Sequence, residues 1–356
     1  MSTVLITGAG GFLGTQLVRE FVDGGHTVRA GDLEAASLAR HAEMGAQPVL
    51  FDVARRDTME LATEGCDMVV HAAGLFDLTA SSDALFAVND QGARAAYEVA
   101  AEKGVGRFLL VSSTGIYGKG GLDAGEDQPK GPISEYDKSK WAGEQNVVRL
   151  AEQRSVPLTV IRPTLIYGPG SRYGLACWLA LFALRAHHNL KVAPIAKGGP
   201  MGHHVHVNDV ARATRFLLER EDTVGGTYNI ADDTPITAGE LVRIIAGSAG
   251  VRVLNQGLPW WCGRIIHLIR PLAAWYLRRE NPRLAHLWSR YLEDNNLVQG
   301  LSPRIDLDWV GYLLDDHTYD NGRLKSLGFH FEHPDVRAGL AETLAWYRRE
   351  RWLPEA

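Results

Sequence analysis

The chain has 356 residues, 46% hydrophobic and 22% charged, enough for one large α/β unit with an appended region or for two domains. A formal net charge of −5 argues against a general nucleic-acid partner, and the three scattered cysteines, Cys66, Cys177 and Cys262, offer neither a disulfide framework nor a metal set and suit a reducing compartment. The chain opens directly on an apolar strand without a basic leader, and no stretch reaches the ~18 uncharged residues of a spanning helix, so a cytoplasmic location is expected.

In chain order, Val4-Leu5-Ile6 reads as a short buried strand, Phe12 to Val22 carries helical spacing, and Gly24-Gly25 ends that helix. Strands follow at His26–Ala30, Gln47–Phe51 and Asp67–Val70. A long alanine-rich helix spans roughly Asp83 to Lys103, Arg107–Ser113 is the fifth strand, Tyr136–Glu152 a helix and Leu158–Arg162 the sixth strand. This alternation predicts a Rossmann-type, doubly wound parallel sheet covered on both faces. Residues 1–165 form the dinucleotide-binding domain, with 203–230 returning to it. Residues 166–202 and 231–356 form a smaller, mostly helical substrate-binding region, with a Trp/Arg-rich insertion at 258–300.

Between the first strand and helix stands Thr7-Gly8-Ala9-Gly10-Gly11-Phe12-Leu13-Gly14, whose Gly8, Gly11 and Gly14 suit a tight turn and close approach of a pyrophosphate to a helix N-terminus. Phe12 and Leu13 open that helix. Asp32 ends strand two, 18 residues after Gly14; it is placed to accept from adenosine ribose hydroxyls and to repel a 2′-phosphate, which selects NAD over NADP, or else to cap the next helix. Asp52 and Val53 after strand three are candidates for the adenine side. Far downstream, Tyr136 and Lys140 share one helix face at i and i+4, so a phenol and an ammonium can point into one pocket. A cationic neighbourhood, from Lys140 and an oxidised nicotinamide, would bring the phenol below its ordinary pKa of about 10.

These residues together resemble the extended short-chain dehydrogenases/reductases, of the NAD-dependent epimerase/dehydratase-like type. The resemblance rests on the glycine loop, His71-Ala72-Ala73-Gly74, Val88-Asn89, Ser112-Ser113-Thr114-Gly115-Ile116-Tyr117-Gly118, Tyr136 with Lys140, Arg162-Pro163-Thr164, Tyr167-Gly168-Pro169 and His206-Val207-Asn208-Asp209. It implies Tyr136 as general acid/base, Lys140 holding the nicotinamide ribose, Ser113 bonding the substrate oxygen and Asn89 as a helix-distorting residue that supports a water chain. It also implies Ala72, Ala73, Gly74 and Pro163 lining the cofactor, and Ser113, Thr114, Tyr117, Thr164 and Tyr167 meeting substrate.

Strand six runs into Arg162-Pro163-Thr164-Leu165 without the asparagine usual in nucleotide-sugar enzymes, so the chain looks more like the 3β-hydroxysteroid and sterol-4-carboxylate dehydrogenases and related lipid keto-reductases. The expected activity is oxidation of a secondary alcohol, a 3β-hydroxyl, on a sterol-like or other bulky apolar lipid, with loss of a neighbouring carboxylate as an extension. The rivals are a nucleotide-sugar epimerase or dehydratase with tightly held NAD, and a non-catalytic dinucleotide sensor. Residues 258–300 admit three readings: an amphipathic helix pair at a membrane surface, a lid over an apolar pocket, or ordinary packing. The resemblance also brings the expectation of a homodimer. His203, His204 and His206 lack ligand-spaced partners, so no metal is expected.

Overall fold

The computed structural model describes all residues except 34, 78–79, 120–121, 155, 197, 257–261, 306–314 and 356, and it leaves aside the side chains of 35–38, 194–196, 255–256, 262–271, 273–275 and 278. Its main sheet is built from β1 (Thr3–Thr7), β2 (Thr27–Asp32), β3 (Gln47–Leu50), β4 (Met68–His71), β5 (Arg107–Val111), β6 (Leu158–Pro163) and, after the short strands β7 (Leu165–Tyr167), β8 (Val192–Ala196), β9 (Met201–Gly202) and β10 (His204–His206), from β11 (Thr227–Ile230). These seven lie in the order β11-β6-β5-β4-β1-β2-β3, every pair parallel. The chain therefore winds outward from β1 in both directions, and a crevice opens between the C-terminal ends of β1 and β4, where ligands bind in such sheets.

Burial on both faces explains the strand compositions. β5 and β6 are buried along their whole length. The one cation in β5, Arg107, is tolerated because its guanidinium donates to Arg220 O at 2.7 Å, Leu217 O at 3.3 Å and Thr223 Oγ1 at 3.1 Å. One face carries α1 (Phe12–Asp23) and the later helix Val207–Leu218, packed around Leu17, Phe21, Val210 and Leu217. The other carries Arg56–Thr63, Ala93–Glu102 and Glu135–Gln153 around Met59, Tyr97, Phe108 and Val147.

β11 extends the sheet beside β6, so the chain does return to the first unit near residue 207. It returns a second time, because Leu324 and Phe329 belong to the same core as β1; by packing, this stretch goes with the first unit rather than with the C-terminal region. The helix expected over Asp83–Lys103 is interrupted. Ser82–Phe86 and Ala93–Glu102 are α-helical, and Ala87–Gly92 between them is a π-helical turn bearing Asn89.

A third core holds the C-terminal region together, formed by helices Leu175–His187, Ala238–Ser248 and Val336–Arg349. Within the Trp/Arg-rich insertion Cys262–Asp294 is one continuous helix, unlike the helix pair of one of the three readings. Its last third packs into this core through Trp288, Tyr291 and Leu292, and Trp288 Nε1 donates to Leu301 O at 2.7 Å. Leu258, Pro259, Trp260 and Trp261 lie outside the described residues, as do the side chains of the next ten. Among the described residues no helix is long and apolar enough to cross a membrane.

Burial keeps several histidines neutral. It pushes His71 down to about 3 and His203, His204 and His206 each down to about 4. Between pH 6.5 and about 4 the unfolded chain binds more protons at these sites, so stability is present above 6.5 and is lost on acidification. Asp232, raised to about 9 by burial, and His333, raised by its bond to Asp209, act in the opposite sense but are two groups against four. The melting temperature should therefore fall between about pH 6.5 and about pH 4.5 in thermal scans; a flat profile would contradict the assignment.

Candidate functional site

The crevice between β1 and β4 opens into a cavity of about 720 Å³. Its floor is the glycine loop. Gly8 has φ +68, and a side chain there would lie 2.7 Å from Ala73 Cα; a Cβ on Gly14 would lie 2.0 Å from Gly8 O. Both glycines are needed because two strand ends and a helix start converge on one point. α1 begins at Gly11 with no side-chain cap, so its first-turn N–H groups are left for a ligand. Asp32 lines the cavity at the end of β2, its Oδ2 accepting from Gly10 N at 2.8 Å and its Oδ1 from Leu33 N at 2.8 Å. That carboxylate ties the second strand to the glycine turn. Asp52 and Val53 line the same end, with Asp52 Oδ1 accepting from Ala54 N at 2.8 Å.

Ala72, Ala73 and Gly74 form the opposite wall, and Ala73 N donates to Thr7 Oγ1 at 3.1 Å. A Cβ on Gly74 would stand 3.1 Å from Asn89 Oδ1, a tight contact that Asn89 would have to yield to. These features fit a dinucleotide: a cradle without side chains, an uncapped helix N-terminus and an acidic residue at the second strand end. Gly8, Gly11, Phe12, Leu13, Gly14, Asp32, Asp52, Val53, Ala72–Gly74, Lys140 and Pro163 all border the one cavity.

Beyond them stand Ser113, Tyr136 and Lys140. Ser134 caps the helix Glu135–Gln153, its Oγ accepting from Asp137 N at 3.0 Å and donating to Asp137 Oδ2 at 2.6 Å, which sets Tyr136 in the first turn. Lys140, one turn on, is buried, and its Nζ donates to Val111 O at 2.6 Å. Burial lowers its pKa to about 8, opposed by the Glu144 carboxylate. Tyr136 departs from expectation. Burial, helped by the neighbouring Asp137 carboxylate, raises its phenol well above the ordinary range, and only the interaction with Ser113 pulls it back. In the chain by itself Lys140 does not make this phenol acidic; Tyr136 is a held, protonated donor.

Several candidates sit elsewhere. Asn89 is buried behind the wall, its Oδ1 accepting from Leu75 N at 2.8 Å and its Nδ2 donating to Leu75 O at 3.0 Å and Ser139 Oγ at 3.0 Å. It is a positioning residue for the backbone after Gly74. Tyr117 does not reach the cavity. Its hydroxyl donates to Asn229 Oδ1 at 2.8 Å and accepts from Arg162 Nη1 at 2.7 Å, and Arg162 is paired with Glu144 behind Lys140. Tyr167 is likewise packed away, its hydroxyl donating to Asp335 O at 3.4 Å. Both tyrosines were expected at the substrate; the buried networks claim them instead. Thr114 and Thr164 do line the cavity, although Thr164 Oγ1 already donates to His203 O at 3.0 Å.

Sequence reasoning overlooked Phe76, Tyr173, His204, His317 and Tyr319, which complete the substrate end. Tyr319 bonds Thr114 and is pushed up to about 12 by burial. Its segment, Tyr319-Asp320-Asn321-Gly322, was the available signal. His206, His333 and Glu342 bring ligand-type atoms within 4.8 Å, but both ring nitrogens of His333 are already engaged, Nδ1 with Asp209 Oδ2 at 3.0 Å and Nε2 with Glu342 Oε2 at 2.8 Å.

The model of the NAD dependent epimerase/dehydratase family matches residues 4–231. A ceramide reductase from Caulobacter vibrioides is 33% identical over 356 residues, covering 99% of this chain and 96% of that protein. A UDP-glucose 4-epimerase from Vibrio cholerae is 26% identical over 277 residues, 74% of this chain and 80% of that one. A 3-beta-hydroxysteroid dehydrogenase from Mycolicibacterium neoaurum is 24% identical over 282 residues, 75% of each.

Replacing Gly8 by alanine should weaken NAD binding at least about tenfold by calorimetry, because the new methyl can be relieved only by parting the loop from Ala73. Unchanged affinity in a folded variant would show that the loop does not cradle the dinucleotide.

Proposed function

The chain belongs to the NAD dependent epimerase/dehydratase family, within the extended short-chain dehydrogenases/reductases, and its cofactor is NAD; from that premise we propose that it interconverts a ketone and a secondary alcohol on a long-chain amide lipid of the ceramide type, working as a reductase. The observation that carries this reading is the placing of Tyr136, with Ser113 and Lys140, at the edge of one apolar-walled cavity. The same phenol can give a proton to a ketone or take one from an alcohol, so the direction as a reductase rests on the similarity to a ceramide reductase. The ceramide class is supported by similarity to a ceramide reductase that runs through essentially the whole chain, including everything after residue 231. A sterol substrate rests on relatives matching about three quarters of the chain at lower identity.

Bound NADH would supply the hydride. Tyr136 Oη gives its proton to the ketone oxygen, and the Ser113 hydroxyl donates to that same oxygen, stabilising the charge that builds on it. The Lys140 ammonium, anchored on Val111 O, faces the cofactor side and replenishes positive potential next to the phenol as it loses its proton. Leu75, Val88, Leu165, Ile166 and Leu175 give the substrate end an apolar lining that excludes water.

Assays with NADH, following loss of reduced-nicotinamide absorbance, should show turnover of an N-acyl 3-keto lipid, and chromatography should show no epimerisation of UDP-glucose; an unreduced ketone together with an epimerised UDP-glucose refutes the proposal. Tyr136→Phe should bind NADH normally yet reduce ketone at least ~100-fold more slowly. Because burial brings Lys140 to about 8, the wild-type rate should decline as pH rises through that value while the ammonium deprotonates. A pH–rate profile level from 7 to 10 would remove Lys140 from the mechanism.

A further inference from the structure

A second cavity, of about 260 Å³, adjoins the first. Phe76, Tyr173 and Gly174 border both. Phe76 is the divider: its ring lies edge-on to Tyr136, centroids 4.9 Å apart, and edge-on to Tyr173, centroids 5.7 Å apart. Both residues are exposed, Phe76 at 38% and Tyr173 at 55% of their surface. Two bare aromatic rings beside a catalytic phenol form apolar surface that a ligand would cover.

The chemistry of this outer cavity is mixed in a particular way. Trp178, Leu301 and Ile305 supply apolar wall. Arg172, Arg304, Ser302 and Gln299 add N–H and O–H donors to the lining, and Asp77 adds one carboxylate. The Arg172 guanidinium lies 5.3 Å from the centroid of Trp352, which is itself packed edge-on to Trp346 at 4.9 Å and stacked on Tyr347 at 5.4 Å, so the cation is held in one place by rings. Donors set among apolar walls match a carbonyl oxygen with a hydrocarbon chain behind it.

Resting on the reductase reading above, we propose that the outer cavity is the subsite for the N-acyl arm of the substrate. In a ceramide-type ketone the acylamino group branches from the carbon next to the reacting carbonyl. With that carbonyl at Tyr136, the branch meets Phe76 first and then the outer cavity. Its amide oxygen accepts from the arginine side of the groove, and its methylenes run along Trp178, Leu301 and Ile305. The first cavity, which must also house the dinucleotide, keeps the reacting carbons and the start of the long-chain base.

Two measurements test this. The first compares kcat/KM for an N-acyl keto lipid with that for the same ketone bearing a free amine. The wild type should favour the acylated form by about tenfold or more, and Ser302→Trp, which fills the groove from an exposed position, should bring the ratio close to one. A ratio unchanged by that substitution overturns the proposal. The second needs no turnover: Cys177 borders the groove as a half-buried free cysteine whose thiol donates to Arg172 O at 3.7 Å, so its alkylation, located by mass spectrometry, should slow when the N-acyl lipid is added to the NAD complex and should not slow with the free amine. Equal labelling in all three samples overturns the subsite even if the ketone is reduced. Protection without any reduction would support the subsite while refuting the reductase reading.

Discussion

The structure depends on how closely the ends of β1 and β4 can approach. At Gly8 the backbone is so near Ala73 that no side chain fits, and at Gly14 the helix start is pressed onto the carbonyl of Gly8. This lack of side chains makes a nucleotide site out of what would otherwise be packed core. The same convergence brings the Gly74 wall within reach of Asn89 and Lys140, and so links the cofactor cradle to the catalytic helix. A methyl group at the crossing would displace all three at once.

Behind the catalytic group the protein maintains a costly electrostatic arrangement. Lys140 is buried, and Arg162 and Glu144 form a buried ion pair one turn further along, bonded also to Tyr117 and to Glu126 O. Removing one partner of such a pair strands a charge and costs about 3–5 kcal/mol, so this network is a structural commitment. Its effect on the site is indirect. Glu144 favours the charged form of Lys140 against desolvation, while Asp137, fixed by Ser134, keeps the Tyr136 phenol protonated. Two carboxylates, each held by its own partner, thus act in the same sense, each favouring the proton-bound form of its neighbour.

The parts of the site that were legible in the sequence are those whose chemistry forces a residue type at a fixed spacing. The glycines, Asp32, the Ala72–Gly74 wall and the Tyr136/Lys140 pair are of this kind, and the structure gathers them around one cavity. Asn89 was legible as a disturbance in a helix, and the π-helical turn around it is that disturbance. Tyr117 and Tyr167 were misplaced because a tyrosine beside a motif has no spacing rule that tells cavity from core. Burial decided both, through Asn229 and Arg162 in one case and Asp335 in the other. The substrate end was least legible: Phe76, Tyr173, His317 and Tyr319 come from loops far apart in the chain, and only packing of the C-terminal region brings them together.

By itself the sequence determined the parallel α/β architecture, the nucleotide loop and the catalytic pair, because strand–helix alternation, glycine spacing and the i, i+4 relation are all local and need no knowledge of distant residues. Tertiary structure alone decided the protonation of Tyr136, the second return of the chain to the first core through Leu324 and Phe329, and the adjoining groove beyond Phe76. Each of those depends on how much water and charge neighbouring segments exclude or bring, and that is a property of packed surfaces that residue order does not display.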